Sequence, residues 1–209
     1  MGKTARQATV RPAPRAEQKV KERLHAAAAG VFARKGYAAA TVREIVETAG
    51  VTKPVLYYHF GSKEGIYKAI LEAAYGDFVR RLAAVGGLGG SASLRLTRLC
   101  EEVYTIFRKH TDAVRLMHAI VYGPPQGAPF FDFDRALLLV EDGVARIIGQ
   151  GLRAGEFRGD AGAMTRAVLG VCNECIDLEL VRPGRLVGRA GFLRTLDVVL
   201  RGMKGRNGR

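Results

Sequence analysis

The chain has 209 residues, room for one or two domains, and its 48% hydrophobic content is ample for a packed core. No apolar run approaches membrane length, no apolar segment follows the early charges, and Arg6 stands where a myristoylation site needs Ser or Thr, so a cytoplasmic protein without membrane attachment is expected. The net charge of +13 suits a polyanionic partner, and it is concentrated at one end: residues 1–68 carry 13 Lys and Arg against 5 Asp and Glu, the remainder 20 against 15.

Residues 1–16 hold Lys3, Arg6, Arg11 and Arg15, no acid, and Pro12 and Pro14. Such a stretch cannot bury a core of its own, so a disordered basic arm is expected, with contact to DNA phosphates or the minor groove as its functional alternative. Farther on, Thr41 with Glu44 three residues later has the form of a capping box and predicts a helix start. Ile45, Val46 and Ala49 give it one apolar face, and Gly50 supplies the backbone freedom needed just past its end. Val51 plugs the turn, Thr52 is positioned to cap a second helix from about Lys53, and Pro54 falls in a first turn where its missing N–H removes no helical bond.

That second helix is expected to bury Leu56 and Phe60 and to leave Lys53, Val55, Tyr57, Tyr58 and His59 on its surface. Four consecutive aromatic rings on a helix point in four directions, so they cannot all be core. Lysine neutralises phosphate, phenol and imidazole donate to phosphate oxygens, and a valine methyl meets a thymine methyl, which is a surface suited to a major groove. Gly61-Ser62-Lys63-Glu64 then reads as a helix stop followed by a new N-cap, whose free N–H groups and Lys63 suit phosphate.

On these residues, and on Val31-Phe32-Ala33-Arg34-Lys35-Gly36-Tyr37, Thr41-Val42-Arg43-Glu44-Ile45, Ala49-Gly50-Val51-Thr52-Lys53 and Leu56-Tyr57-Tyr58-His59-Phe60, the segment from about Arg23 to Tyr67 resembles the N-terminal DNA-binding domain of TetR-family transcriptional regulators. The resemblance implies DNA contacts at Thr52, Lys53, Val55, Tyr57, Tyr58 and His59 and a phosphate contact at Lys63. Thr41 and Arg43, at the opening of the first helix of the motif, complete the candidate interface. Pro54 stands where many members have glycine and Val46 where a smaller alanine is common, which leaves the preferred DNA sequence open.

Beyond Ser62, Ile66, Ile70, Ala74, Phe78 and Leu82 advance in fours and predict one long helix to about Val85. Gly86-Gly87-Leu88-Gly89-Gly90 breaks it, and Ser91 or Ser93 caps the next helix, carried by Leu96, Leu99, Val103 and Phe107. Thr111 opens a shorter one, residues 123–129 form an exposed loop, and helix is expected again from about Phe131 to Leu152. Asp160 starts a helix to about Val181, and a last one runs from near Arg189 to Leu200. Both are apolar over more than one face and so require two partners.

The reading is an all-α protein: a basic arm (1–16), a three-helix helix-turn-helix domain (17–68), a larger helical effector-binding and dimerisation domain (69–203) and a basic tail (204–209). By resemblance, the last two long helices pair with those of a second copy, and a homodimer also follows from the need for two recognition helices on a palindromic operator in double-stranded DNA. The resemblance further implies a repressor released by a small-molecule effector. Candidate effector contacts are Tyr104, Phe107, Met117, His118, Tyr122, Phe131, Cys172 and Asn173, aromatic, soft or polar residues within apolar helices. Glu174 and Asp177 would meet a cationic effector if they faced inward.

Cys172-x-x-Cys175 is a single pair with no second pair near Cys100, so no metal and no cofactor are expected, and a thiol redox sensor stands as an alternative to buried structural thiols. No catalytic motif is present. Gly149-Gln150-Gly151-Leu152-Arg153-Ala154-Gly155 imitates a dinucleotide fingerprint but closes a helix instead of following a strand. An enzyme on a helical fold and a nucleoid-type packaging protein are the remaining classes, separable by turnover and by site preference.

Overall fold

The computed structural model describes residues 14–87, 89–123, 127–182 and 188–204. Among these the chain forms nine helices: α1 Pro14–Ala39, α2 Val42–Ala49, α3 Lys53–Phe60, α4 Lys63–Gly86, α5 Ala92–Lys109, α6 Thr111–Val121, α7 Asp134–Arg153, α8 Ala161–Val181 and α9 Gly188–Met203. Residues 1–13 and 205–209, most of the expected arm and tail, lie outside the described residues, as do Pro124 to Gln126 of the expected loop. Residues 14–16, counted with the arm above, already belong to α1.

The helix ends follow the local chemistry. Glu44 donates its N–H to the Thr41 hydroxyl while its carboxylate accepts from the Thr41 N–H at 3.0 Å, so the capping box is complete. Gly50 closes α2 at φ 63°, ψ 42°, a left-handed conformation that glycine adopts without a Cβ penalty. Ser62, Ser91 and Asp160 cap α4, α5 and α8 by accepting from the N–H three residues on. Helix α7 starts at Asp134, three residues later than its periodicity suggests, because Phe131 and Phe133 turn inward, their rings 5.1 Å apart.

Two cores result. The first gathers Leu24, Ala28 and Phe32 of α1, Ile45 of α2, Leu56 of α3 and Ile66, Tyr67 and Ile70 of α4. It also takes Ala113 and Leu116 of α6, so a helix late in sequence is packed with the N-terminal helices. The second joins Leu82 and Val85 of α4 to α5, α7, α8 and α9. Helix α4 thus enters both cores, and α6 packs against α1 in the first.

Between α7 and α8, Gly155 turns at φ 72° and the Glu156 carboxylate accepts from the Ala92 and Ser93 N–H groups at 2.6 and 2.8 Å, satisfying donors that the start of α5 would otherwise leave open. Gly151 lies under Phe157, where a Cβ would overlap the ring and also crowd the Ala92 Cβ at 2.8 Å. The glycines near the end of α7 serve close packing and a turn, not a nucleotide.

Candidate nucleic-acid interface and the cavity behind it

The α2–α3 unit is fixed from below by fully buried Leu56, with Val55 and Phe60 half-buried beside it. Its turn is closed by backbone donation from Val51 to Val46 at 3.0 Å. What α3 turns outward is Thr52, Lys53, Tyr57 and Tyr58, the two phenols 49% and 67% exposed. Thr52 occupies the N-cap position with extended backbone yet its hydroxyl makes no capping bond, and Lys53 has no ion pair among the described residues. All four side chains are exposed to solvent.

Other members of the expected set are partly engaged. The Thr41 side chain is held in its capping box, and Arg43 pairs with Glu47 at 2.7 Å on the exposed side of α2. His59 is half-buried, its ring edge-on to Tyr58, and Tyr58 donates its hydroxyl to Glu17 of α1 at 3.2 Å. Lys63 is the largest departure. Its ammonium donates to the Ala40 carbonyl at 2.8 Å and the Ala38 carbonyl at 3.3 Å and lies 4.3 Å from the Tyr37 ring centre, while partial burial lowers its pKa. It ties the end of α1 to the start of α4, with two of its three N–H groups given to carbonyls.

Behind this domain a cavity of about 320 Å³ opens between α4, α5, α6, α7 and α8. Of the effector candidates it brings together Phe107, Met117, Phe131, Cys172 and Asn173. Tyr104, His118 and Tyr122 are not in its wall. Tyr104 stacks on Phe192 of α9 at 5.0 Å, His118 is paired with Asp177 at 2.9 Å, and Tyr122 is 74% exposed past the end of α6. Glu174 is exposed as well. The wall instead includes Tyr75 and Phe78 of α4, His110 at the α5–α6 junction and Glu141 of α7. Phe78 already stood in the periodic row of α4, but periodicity marks a buried face without telling packing from a void.

His110 links the cavity to α4. Its Nε2 lies 3.0 Å from the Asp77 carboxylate, which also accepts from Lys109 at 2.8 Å and Arg81 at 3.4 Å. The Lys109 and His110 hydrogen bonds hold the Asp77 carboxyl far below the usual carboxylate range.

The three thiols are free and buried. Contact with Cys172 of α8 together with burial raises the pKa of Cys100 of α5 well above its ordinary value, and burial raises that of Cys175. A buried thiol pushed upward is a poor nucleophile, which counts against a sensor that relies on Cys175 to attack. No cluster able to hold a metal occurs among the described residues, and no described helix is long and apolar enough to cross a membrane.

Comparison with known proteins meets this geometry at the same residues. Residues 24–70 match the family model described as bacterial regulatory proteins, tetR family. The HTH-type transcriptional activator FasR of Mycolicibacterium smegmatis is 54% identical over 46 residues, which span 22% of this chain and 21% of that protein. The HTH-type transcriptional repressor NicS of Pseudomonas putida is 27% identical over 164 residues, 77% of each chain. The crystal structure of the TetR-family regulator PfmR from Thermus thermophilus superposes with a TM-score of 0.66 at 26% identity, covering 88% of this chain and all of that one.

Proposed function

The chain belongs to the tetR family of bacterial regulatory proteins, and from that premise we propose that it is a homodimeric repressor that binds a palindromic operator in cytoplasmic DNA and leaves it when a small molecule fills the cavity. The observation that carries the DNA reading is the outward face of α3. Thr52, Lys53, Tyr57 and Tyr58 are presented together on a helix anchored by Leu56, with hydrogen-bonding groups to spare. A helix of eight residues reads only a few base pairs, so two copies about one helical turn of DNA apart are needed for a unique site.

Helices α8 and α9 supply the second copy's surface. Val181 and Val198 are 75% and 71% exposed and Leu178 38%, apolar side chains on these two helices that a partner would cover. Release would run from the cavity through α6 and α4, which belong to the DNA-proximal core as well as to the cavity wall. A ligand must favour the released form by about 1.4 kcal/mol for each tenfold loss of operator affinity.

Footprinting on genomic fragments selected by the purified protein tests the reading: it requires protection of an inverted repeat by a dimer. Protection without sequence preference would assign the protein to DNA packaging instead.

A further inference from the structure

The cavity reading just given leaves open what enters it, and the charges around the wall bear on that. Glu141 is the only carboxylate in the wall, and no lysine or arginine lines it among the described residues. The basic side chains around the cavity already have partners. His110 is backed by Asp77 at 3.0 Å, and His118 is paired with Asp177 at 2.9 Å. Arg135, whose guanidinium lies 4.3 Å from the Tyr75 ring centre and 5.3 Å from that of Phe131, faces Glu72 at 3.5 Å and Asp132 at 3.9 Å. Glu141, by contrast, has no ion pair among the described residues. With Leu137 and Asn173 it is one of the exposed members of the wall, so these three mark the mouth between α7 and α8.

Inside the mouth the wall is apolar: the rings of Tyr75, Phe78, Phe107, Phe131 and Phe133 stand among aliphatic side chains such as Ile106 and Ile176. An anion buried here loses its hydration, and the wall itself supplies no lysine or arginine as counter-charge, whereas a positive charge at the mouth meets the unpaired Glu141 carboxylate. We propose that the effector is a hydrophobic cation: an apolar body held among these rings, with one positive charge at the mouth against the Glu141 carboxylate and the Asn173 amide oxygen. The overall charge of +13 would draw anions to the protein's surface, so a preference for a cation has to arise locally.

Three probes with one tail isolate the head group: decyltrimethylammonium, decanol and decanoate, each below its micellar concentration and at physiological salt. They are titrated into the full chain by calorimetry and thermal shift, alongside Glu141→Gln and Asn173→Ala. The cation is expected to bind about tenfold more tightly than the alcohol, and decanoate most weakly. Glu141→Gln is expected to abolish the preference for the cation over the alcohol while leaving decanol affinity within about twofold of the parent. Equal binding of cation and alcohol, tightest binding of decanoate, or a cation preference that survives Glu141→Gln overturns the assignment of charge while the cavity remains an effector site. Failure of all three probes to bind removes the cavity reading as well.

Discussion

His118 of α6 and Asp177 of α8 meet at 2.9 Å across the edge of the cavity, joining a helix of the first core to a helix of the second. Both side chains are partly exposed, 28% and 50%, so the pair contributes less than about 1 kcal/mol to global stability. Its effect is local, because it restrains α6 where Ala113, Val114 and Met117 face the cavity. Asp177→Asn is therefore expected to leave the melting temperature within a few degrees and to accelerate amide exchange in residues 111–121, with α5 unchanged. Unaltered exchange in α6 would reduce the pair to a surface contact.

Lys53→Ala and Tyr58→Ala are expected to weaken operator binding by about 1 kcal/mol or more each while circular dichroism and light scattering stay those of the parent. Neither side chain supports the fold: Lys53 is exposed and unpaired among the described residues, and Tyr58 gives up only the exposed bond to Glu17. Parental affinity in a gel-shift titration would take the residue concerned out of the interface.

Lys63→Ala has two consequences that separate experimentally. Loss of the bonds to Ala38 and Ala40 should cost about 1–2 kcal/mol of stability, since charge-assisted bonds to partly buried carbonyls are removed. If the remaining N–H meets a phosphate, the slope of log affinity against log salt also falls by about one, equally for all DNA sequences. A destabilised variant with the parental slope would make Lys63 a clamp between α1 and α4 and nothing more.

The difference between Lys53, which is exposed on α3, and Lys63, which is bonded to carbonyls of the α1 end, shows what sequence can disclose. Signals confined to one or two helical turns were readable: the Thr41–Glu44 box, Gly50, the Ser62 and Asp160 caps and the rise of Leu56 into the core all follow from neighbours within four residues. Lys63 meets carbonyls 23 and 25 residues away, and α6 joins α1 through Ala113 and Leu116, pairings that no local period encodes. The same holds for the cavity. Phe107 in α5 and Phe131 just before α7 are legible as aromatic residues in apolar stretches, but Glu141 and Tyr75 enter the wall only through how five elements converge.

Acid stability should depend on Asp77. Its carboxyl is held far below the ordinary value by hydrogen bonds from Lys109 and His110, so its contribution is complete above the unfolded pKa near 4 and is lost as pH falls toward the folded value. Asp77→Asn is expected to cost about 1.5–3 kcal/mol at pH 7 in urea denaturation, and the gap to the parent should narrow below about pH 4. A gap that stayed constant down to pH 3 would show that packing, not charge, holds the α4–α5 contact.

Two glycines of α4 make opposite predictions from the same substitution. Gly65 has no unusual φ, but a Cβ there would overlap the Phe60 carbonyl oxygen and come within 3.0 Å of its carbon, backbone atoms that cannot move without shifting α3 against α4. Gly65→Ala is expected to cost about 1–3 kcal/mol and to tilt the exposed face of α3, so operator affinity should fall by more than the loss of folded protein explains. At Gly76 a Cβ would meet only the end of the flexible Arg80 side chain at 3.4 Å, and the helix gains from replacing its most entropically costly residue. Gly76→Ala is therefore expected to raise stability by about 0.5–1 kcal/mol with unchanged affinity for DNA. Equal effects of the two alanines on melting temperature and gel shift would mean that the α3–α4 corner has room for a methyl group, and that Phe60 does not set the angle at which α3 is presented.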